Sequence, residues 1–338
     1  MTIKLKYNIS NKDSKFIPSS FFTNKNWLTV IQKSFNFSKK YIYFDYNGQK
    51  VVIPSIETKY LNNKNLICLP FSFNLNLSEQ DEEIIIQNLL QGKNHLLQNK
   101  EILVKSTFNR FYSKNFDDYF KSKFNYYIVE LKKDFQKKYS NNIKRSLKKN
   151  HNLIYKFVKN FQSQEFENFF ESYLKSSKEL KTFFYPKVFF KNLFTECKNN
   201  FYIINAYKDD EFIGGHLVLL DNKKKEAIYF CSSKTKLGSS LSVDKFLINY
   251  SMKLCFENNL KIFNLGKVSK NDFGLNNFKI LFGSKKLNLN YFSLMKKNYA
   301  ILDKRSLIKE IVRTIIRLIP LKIYIIFNNN LFKFLSKY

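Results

Sequence analysis

One stretch of the sequence places an acid, a lysine and three glycines close together. Residues 264–283 read NLGKVSKNDFGLNNFKILFG and hold three of the eight glycines in a chain of 338 residues. Glycine adopts backbone conformations that other residues avoid and permits the close approach of a ligand. Asp272 could orient or deprotonate an amine, and Lys279 could hold a phosphate or a developing negative charge. We therefore predict that this stretch lines a reactive site with Asp272 and Lys279 as its catalytic side chains.

Both side chains also have a simpler explanation. Asp272 lies in an Asn-Asp-Phe-Gly sequence, where aspartate is common for purely local reasons. Lys279 is one of 58 basic residues, of which only five are arginine. His216, which follows two glycines, is more simply a hydrogen-bonded histidine of a strand, so we assign it no catalytic role.

A second polar cluster, KTKLGSSLS, directly precedes a stretch with helical periodicity. It contains Gly238, Ser239, Ser240 and Ser242. Backbone N–H groups at a helix N-terminus, supported by the helix dipole, can bind a phosphate without any special side chain. The serines are equally typical of helix N-caps, so both interpretations stay open at this point.

The net charge of +31 suggests attraction to anionic partners. Clustered Lys and Arg neutralise phosphates and release counterions, as in proteins that bind nucleic acids. Most of the charge here is lysine in a sequence crowded with Asn, Ile, Phe and Tyr, all of which have A/T-rich codons. We therefore predict a generic attraction to anions without specific recognition of nucleic acid.

Other features exclude several classes of protein. The four cysteines include no CxxC pair, and there are only three histidines. This pattern indicates neither a disulfide framework nor a metal site with regularly spaced ligands. The first residues are polar, and no run of about 18 or more apolar residues occurs. We expect a cytoplasmic protein with no metal, no secretion signal and no membrane span.

The elements that must position these residues follow a repeated plan. Residues 41–72 predict a meander of three strands, and residues 201–232 repeat it. Each meander is followed by a helical pattern and a further strand. The fold class that this predicts is mixed α/β, with one unit occurring twice.

The plan divides the chain into three parts. Residues 1–150 form a first domain that ends in a basic junction helix, and residues 151–300 form a second, catalytic domain. Residues 301–338 form a basic tail in which apolar pairs recur every four residues up to Pro320. This amphipathic helix could pack on the second domain or bind an anionic membrane surface.

The order of these motifs resembles the FemAB-like branch of the GNAT acyltransferase superfamily, including BioF2-like acetyltransferase domains. The motifs that carry the resemblance are FFTNKNWL, LPFSF, NNIKRSLKKN, EFIGGHLVLL, AIYFCSS and FNLGKVSKNDFGLNNFKILFG. The resemblance covers most of the chain and implies tandem duplicated GNAT-like domains that meet at a cleft. It also implies direct transfer of an acyl group from an activated donor to an amine or hydroxyl, without a covalent enzyme intermediate.

The resemblance further implies roles for individual residues. The donor's pyrophosphate would lie at Gly238, Ser239, Ser240 and Ser242, and its carbonyl would face Tyr229 and Ser232. Contacts with the acceptor are implied for three residues, Arg145, Ser269 and Phe278.

The implied co-substrate is acyl-CoA, with no tightly bound cofactor, and the implied acceptor is a cell-envelope glycan or its nucleotide- or lipid-linked precursor. The usual Q/R-x-x-G-x-G/A loop is absent, so an aminoacyl-tRNA donor stays open, as in enzymes that extend peptidoglycan stem peptides. Residues 201–299 lack the heptad stretch that such enzymes often carry. A non-catalytic module that binds polyanions through its lysines is the alternative from another class.

Overall fold

The computed structural model describes residues 4–6, 20–46, 49–60, 63–68, 100–106, 120–149, 152–293 and 313–335. Their strands form one mixed sheet in the order β1-β2-β3-β4-β5-β12-β6-β11-β10-β9-β8-β7. The strands are β1 Lys4–Lys6, β2 Ser38–Tyr46, β3 Gln49–Tyr60, β4 Asn63–Cys68, β5 Lys100–Ser106, β6 Phe120–Glu130, β7 Ile154–Phe157, β8 Phe201–Lys208, β9 Glu211–Asp221, β10 Glu226–Lys234, β11 Ile262–Ser269 and β12 Lys285–Ser293.

The helices flank this sheet and begin at capping residues. Ser140 and Ser163 each accept a hydrogen bond from a backbone N–H of the first turn, which satisfies a donor that the helix leaves open. The helices are α1 Lys25–Phe35, α2 Asn141–Lys148, α3 Gln164–Glu179, α4 Lys187–Glu196, α5 Lys236–Ser240, α6 Val243–Glu257, α7 Phe273–Ile280 and α8 Leu321–Leu335. Helical residues 313–318 precede α8, and we call the two together the tail helices.

The predicted duplication is confirmed by the pairing of the strands. β2, β3 and β4 form an antiparallel meander, and β5 is parallel to β4. β8, β9 and β10 repeat this arrangement, with β11 parallel to β10. The helical pattern after the first meander, residues 78–100, lies outside the described residues except for Lys100, which begins β5. α6 occupies the corresponding position in the second unit.

The two units exchange strands at the centre of the sheet. β6 pairs with β11 of the second unit, whereas β12 lies between β5 and β6 and pairs with both. β6 falls in the range predicted for the first domain, so strand pairing crosses the boundary placed at residue 150. That boundary stays a prediction.

The basic segment predicted to contain the junction helix is helical in two separate pieces. Phe135–Lys138 is a turn of 3-10 helix, and α2 begins after Ser140. Ser140 has an extended backbone and caps α2, which breaks the helical path. The lysines of this segment therefore lie on two elements.

The two faces of the sheet bury different cores. On β9, Leu217 and Leu219 pack into an aromatic core with α1, α3 and α4, while Val218 packs into a second core with α2 and α6. This alternation is the expected consequence of successive side chains pointing to opposite faces of a strand. Trp27, fully buried, lies within the aromatic core. Among the described helices, none combines the length and apolar character needed to cross a membrane.

Candidate active site

The sheet opens between β10 and β11. These parallel strands pair only from Glu226 opposite Ile262 to Ile228 opposite Asn264. Beyond that point β10 stays paired with β9, and β11 stays paired with β6. The two strands therefore part just before Gly266, and we call the space between them the strand gap.

A bulge in β11 lies at the closed end of the strand gap. Gly266 has a φ of 77°, and the register with β6 shifts between Asn264 and Gly266. The Asn264 Oδ1 accepts a hydrogen bond of 2.7 Å from the Gly266 N–H. A side chain at this backbone conformation would cost about 1–2 kcal/mol. Gly266 thus lies inside β11.

A buried polar network supports the bulge from below. Asn264 Nδ2 donates to the Glu226 Oε1 at 2.7 Å and to the Tyr126 hydroxyl. The Tyr126 hydroxyl donates to the same Glu226 oxygen at 3.2 Å. All three side chains are buried, and burial raises the pKa of Glu226. Because buried polar groups are costly unless hydrogen-bonded, this network fixes the backbone where β10 and β11 part.

Lys279 lies against the part of β11 that β10 no longer pairs with. Its side chain is buried, and Nζ donates to the carbonyl of Leu265 and, at 3.2 and 3.4 Å, to those of Gly266 and Lys267. Burial lowers the pKa of Lys279 to about 7, while the carbonyl acceptors favour its charged form. The lysine nitrogen is therefore held on the backbone of β11 beside the strand gap, where burial opposes its charge and the carbonyls favour it.

Asn276 anchors α7, the helix that carries Lys279. Its Nδ2 donates to the carbonyls of Ser269 and Asp272 at 2.7 and 2.5 Å. Its Oδ1 accepts from Asn125 Nδ2 at 2.7 Å and from the Tyr127 hydroxyl at 2.6 Å. One buried side chain thus ties the end of β11, the start of α7 and β6 together. Ser269 takes part through its carbonyl.

Asp272 is the N-cap of α7. Its Oδ1 accepts a hydrogen bond of 3.0 Å from the Leu275 N–H, and the residue is exposed. The local explanation for this aspartate therefore holds, and its catalytic role stays a prediction. The same carboxylate raises the pKa of Lys279, against the larger effect of burial. Phe278, further along α7, packs edge-to-face on Phe282 with ring centroids 5.4 Å apart.

Two predicted donor contacts lie on β10 beyond its last pair with β11. The Tyr229 ring packs on His216 with centroids 5.5 Å apart, and Ser232 lies opposite His216 in the register of β10 and β9. Burial raises the pKa of Tyr229. A register shift between Tyr229 and Cys231 forms a second bulge, and Phe230 there packs on Trp27. Both strands are thus irregular beside the strand gap.

His216 is buried and hydrogen-bonds through Nε2 to the Ser251 hydroxyl of α6. Burial lowers the pKa of His216 to about 3, so the ring is neutral at physiological pH. The structure therefore agrees with leaving His216 out of the catalytic residues.

The N–H groups of Gly238 and Ser239, predicted to bind the donor's pyrophosphate, are hydrogen-bonded within the protein in this structure. The Gly238 N–H donates to Thr235 Oγ1 at 3.1 Å, and the Ser239 N–H donates to the Thr235 carbonyl at 2.9 Å. A Cβ on Gly238 would lie 1.9 Å from the carbonyl oxygen of Ile213. The glycine therefore permits close packing on β9, and its N–H does not point to an open phosphate site. We correct the prediction on this point.

The serines that follow are also engaged within the loop. The Ser240 hydroxyl donates to the Leu237 carbonyl at 2.8 Å, and the Ser242 N–H donates to the Ser239 carbonyl at 3.1 Å. Ser242 has a left-handed backbone at the N-cap of α6, without a side-chain capping bond. The first turn of α6 also carries Asp244, which pairs with Lys234 of β10. An acid in this place opposes the binding of a phosphate.

Arg145 lies on α2, which is held next to the elements of the strand gap. The Ser140 N–H donates to the carbonyl of Leu281, the residue that follows α7, at 2.9 Å. Lys245 of α6 donates to Asn142 Oδ1 at 2.8 Å and to Ser146 Oγ at 2.9 Å. Arg145 itself is exposed. The helix that carries it therefore bridges α6 and the end of α7.

The predicted residues fall into two groups. Tyr229 and Phe278 pack against the same core, and α7 brings Asp272 and Lys279 to the end of β11. The loop that contains Gly238 forms a separate unit packed on β9. Sequence reasoning missed Glu226, Asn264 and Asn276. A usable signal existed for Asn264, which is a polar residue inside the apolar run Ile-Phe-Asn-Leu.

Within the described ranges, no cluster of three or more His, Cys, Asp or Glu side chains is arranged to hold a metal ion. The polar groups of the site instead suit hydrogen bonding and charge stabilisation. The strand gap offers backbone groups and the nitrogen of Lys279, and the exposed carboxylate of Asp272 lies at the start of α7.

Known proteins were compared with this chain by sequence and by fold. The profile of the Acetyltransferase (GNAT) domain family matches residues 137–279, which include β10, β11 and α7. No curated protein sequence matches the chain.

Similar folds occur among solved structures. FemX is 9% identical with a TM-score of 0.62, over 89% of this chain and 99% of that one. The C-terminal domain of a protein described as a lysylphosphatidylglycerol synthetase from Agrobacterium fabrum is 14% identical with a TM-score of 0.57, over 88% and 95%. L-PGS from Bacillus licheniformis is 12% identical with a TM-score of 0.52, over 81% and 89%. At these identities the likeness concerns the fold. Residues 137–279 therefore match a GNAT acetyltransferase domain, and the fold over most of the chain is similar to that of FemX.

Proposed function

We propose that this protein transfers an acyl group from an activated donor directly to an amine or hydroxyl of a cell-envelope glycan, or of its nucleotide- or lipid-linked precursor, at the cytoplasmic face of the membrane. The observation that carries the proposal is the opening of the sheet between β10 and β11, with Lys279 fixed at its edge. The donor carbonyl would lie in this opening.

The chemistry requires no covalent enzyme intermediate. The acceptor nitrogen or oxygen attacks the donor carbonyl carbon, a new C–N or C–O bond forms, and the bond to the leaving group breaks. Asp272, exposed at the start of α7, takes the proton of the acceptor. The charge of Lys279 stabilises the oxyanion that develops beside the strand gap. The rigid attachment of α7 through Asn276 keeps both groups in place.

The acceptor side is proposed at α2. Arg145 is exposed there beside Lys144 and Lys148, and the helix lies against α6 and the end of α7. A guanidinium group binds a phosphate through two parallel hydrogen bonds. A diphosphate on a nucleotide- or lipid-linked sugar is therefore the acceptor group that suits this helix best. Ser269 and Phe278 would contact the sugar or its substituent.

The donor is proposed as acyl-CoA, and one observation favours a second candidate. The N–H groups of Gly238, Ser239 and Ser242 are bonded within their own loop, so they offer no cradle for the pyrophosphate of coenzyme A in this conformation. A donor with no pyrophosphate at that position, such as an aminoacyl-tRNA, needs no such cradle. The net charge of +31 also suits a long polyanionic donor.

The proposal is tested by offering both donor classes to the purified protein. Isotope-labelled acetyl-CoA, longer acyl-CoAs and charged tRNA are each incubated with UDP-amino sugars, and the products are measured by mass spectrometry. We expect transfer of label from one donor class, and loss of transfer in Lys279→Met. If neither class supports transfer and the protein binds only polyanions, with steep dependence on salt, the non-catalytic alternative replaces the proposal.

A further inference from the structure

The tail helices are docked on the protein in one fixed orientation. Ile316 and Tyr324 are fully buried in the aromatic core. The Tyr324 hydroxyl donates to the Thr182 carbonyl at 2.6 Å. The Asn328 side chain accepts from the Phe184 N–H at 3.0 Å and donates to the Phe184 carbonyl at 2.8 Å. The packing interpretation of the tail therefore holds for this inner face.

The opposite face of the tail helices is also apolar, and it is exposed. Leu318, Ile323 and Ile326 are 76%, 51% and 62% exposed, and Ile315 is 38% exposed. Because the inner face is held by buried side chains and hydrogen bonds, these residues cannot turn into the core. Apolar residues of this size side by side on a surface mark a contact with a partner or a membrane.

The charges around this face indicate what covers it. Arg317 and Lys322 are exposed on the same two pieces, and residues 311–338 contain no Asp or Glu. Apolar side chains with a cationic rim and no acid suit the interface of an anionic bilayer, where the apolar groups enter the acyl boundary and the cations meet phosphates.

The dimensions fit a helix that lies on the surface of a bilayer. α8 has 15 residues, which is about 22 Å at 1.5 Å per residue, less than the roughly 30 Å of a hydrocarbon core. Pro320 separates it from residues 313–318, so the two pieces do not add up to one continuous span.

We propose that the outer face of the tail helices binds an anionic lipid bilayer, with Leu318, Ile323 and Ile326 inserted and with Arg317 and Lys322 at the headgroups. The inner face stays docked, so the bilayer holds the whole protein and not a detached tail. The inference rests on the proposed function in one respect. Binding to the bilayer would matter because a lipid-linked acceptor lies in the same membrane.

The test uses the full chain and vesicles of two compositions. Co-sedimentation is measured with phosphatidylglycerol vesicles and with phosphatidylcholine vesicles for the wild type and for the triple variant Leu318→Glu, Ile323→Glu, Ile326→Glu. A matched control is Ile154→Glu, which changes an isoleucine that is 49% exposed on the edge strand β7. A second variant, Arg317→Gln with Lys322→Gln, tests the cationic rim. Melting temperatures confirm that each variant folds.

We expect the wild type and Ile154→Glu to bind phosphatidylglycerol vesicles, and the triple variant to bind them at least tenfold more weakly. The double variant should bind more weakly, and binding to phosphatidylcholine should be weak throughout. Unchanged binding of the triple variant, or no binding by the wild type, would overturn the proposal. If the wild type is a dimer and the triple variant is a monomer, the face belongs to an interface with a second copy. That result would overturn the proposal as well. Transfer to a water-soluble acceptor tests the proposed function separately, because it does not need the tail face.

Discussion

The ammonium group of Lys279 donates a hydrogen bond to the carbonyl of Leu265, the first residue of β11 beyond its register with β10. A lysine from the following helix thus binds backbone acceptors in the stretch of β11 that β10 no longer pairs with. Its hydrogen bonds satisfy carbonyls of a buried stretch, where an unsatisfied group would be costly.

The pH dependence of stability tests the burial of Lys279. Its pKa is about 7 in the folded protein and about 10.4 in an unfolded chain. Between these values the unfolded state binds more protons, so wild-type stability should rise with pH relative to Lys279→Met, by up to about 1.4 kcal/mol per pH unit. Urea unfolding of both proteins at pH 7, 8 and 9 measures this difference. Lys270→Met, at an exposed lysine nearby, is the control.

A difference in stability between wild type and Lys279→Met that does not change with pH would contradict the lowered pKa of a buried Lys279. For transfer activity we expect Lys279→Met to lose about 10²–10³-fold in kcat, as for the loss of one group that stabilises an oxyanion. A similar loss in Lys270→Met would show that the effect is not specific to the strand gap.

Two glycine-to-alanine substitutions are predicted to have different effects on stability. Gly238→Ala places a Cβ 1.9 Å from a backbone oxygen of β9, so we expect destabilisation of about 1–3 kcal/mol or more. Gly274 lies in α7 without a left-handed backbone, and the nearest atom to an added Cβ is 3.8 Å away. Gly274→Ala should be neutral or stabilising by about 0.4–1 kcal/mol. Equal effects on the melting temperature would argue against the close packing of the loop on β9.

Substitutions of Asp272 separate its capping role from its proposed role as a base. Asp272→Asn keeps an oxygen for the Leu275 N–H, so stability should change little, whereas Asp272→Ala should lose about 1 kcal/mol. Transfer activity should fall about 10²–10⁴-fold in both variants if the carboxylate accepts the proton. Full activity in Asp272→Asn, measured by the initial rate of transfer, would reduce Asp272 to a helix cap.

The polar network beneath the bulge predicts a strong effect at Asn264. Asn264→Ala removes the partner of the Gly266 N–H and one of the two partners of Glu226, and an unsatisfied buried group costs about 1–3 kcal/mol. We expect a large drop in the urea midpoint and in activity. Asn271→Ala, at an exposed asparagine between β11 and α7, should change the urea midpoint little. If Asn264→Ala lowers the urea midpoint and the activity only slightly, the bulge does not depend on this side chain.

The repeated plan of the fold could be predicted from sequence because alternating apolar runs and turn residues mark the strands of both meanders. The exchange of β6 and β12 could not, because pairing between distant strands leaves no local pattern. The closed loop at Gly238 was missed for a similar reason. A glycine before serines indicates an open helix N-terminus as readily as a tight contact with Ile213, and only the packing decides between them.

Only some residues of the site could be predicted from sequence. Lys279 and Asp272 stood out by residue type and by resemblance, but the residues that hydrogen-bond with them did not. Asn276 occurs in the run Leu-Asn-Asn-Phe beside an asparagine that is exposed. Which of the two reaches Tyr127 depends on how α7 lies on β6, and therefore on tertiary structure.

The central claim is that the donor binds in the strand gap, and hydrogen exchange tests it most directly. Exchange of backbone amides is followed by mass spectrometry with and without each donor, acetyl-CoA and charged tRNA. The claim predicts that the donor which supports transfer slows exchange in Tyr229–Lys234 and Leu265–Ser269, the two edges of the gap, more than elsewhere. Tight donor binding that leaves exchange in both segments unchanged would contradict it.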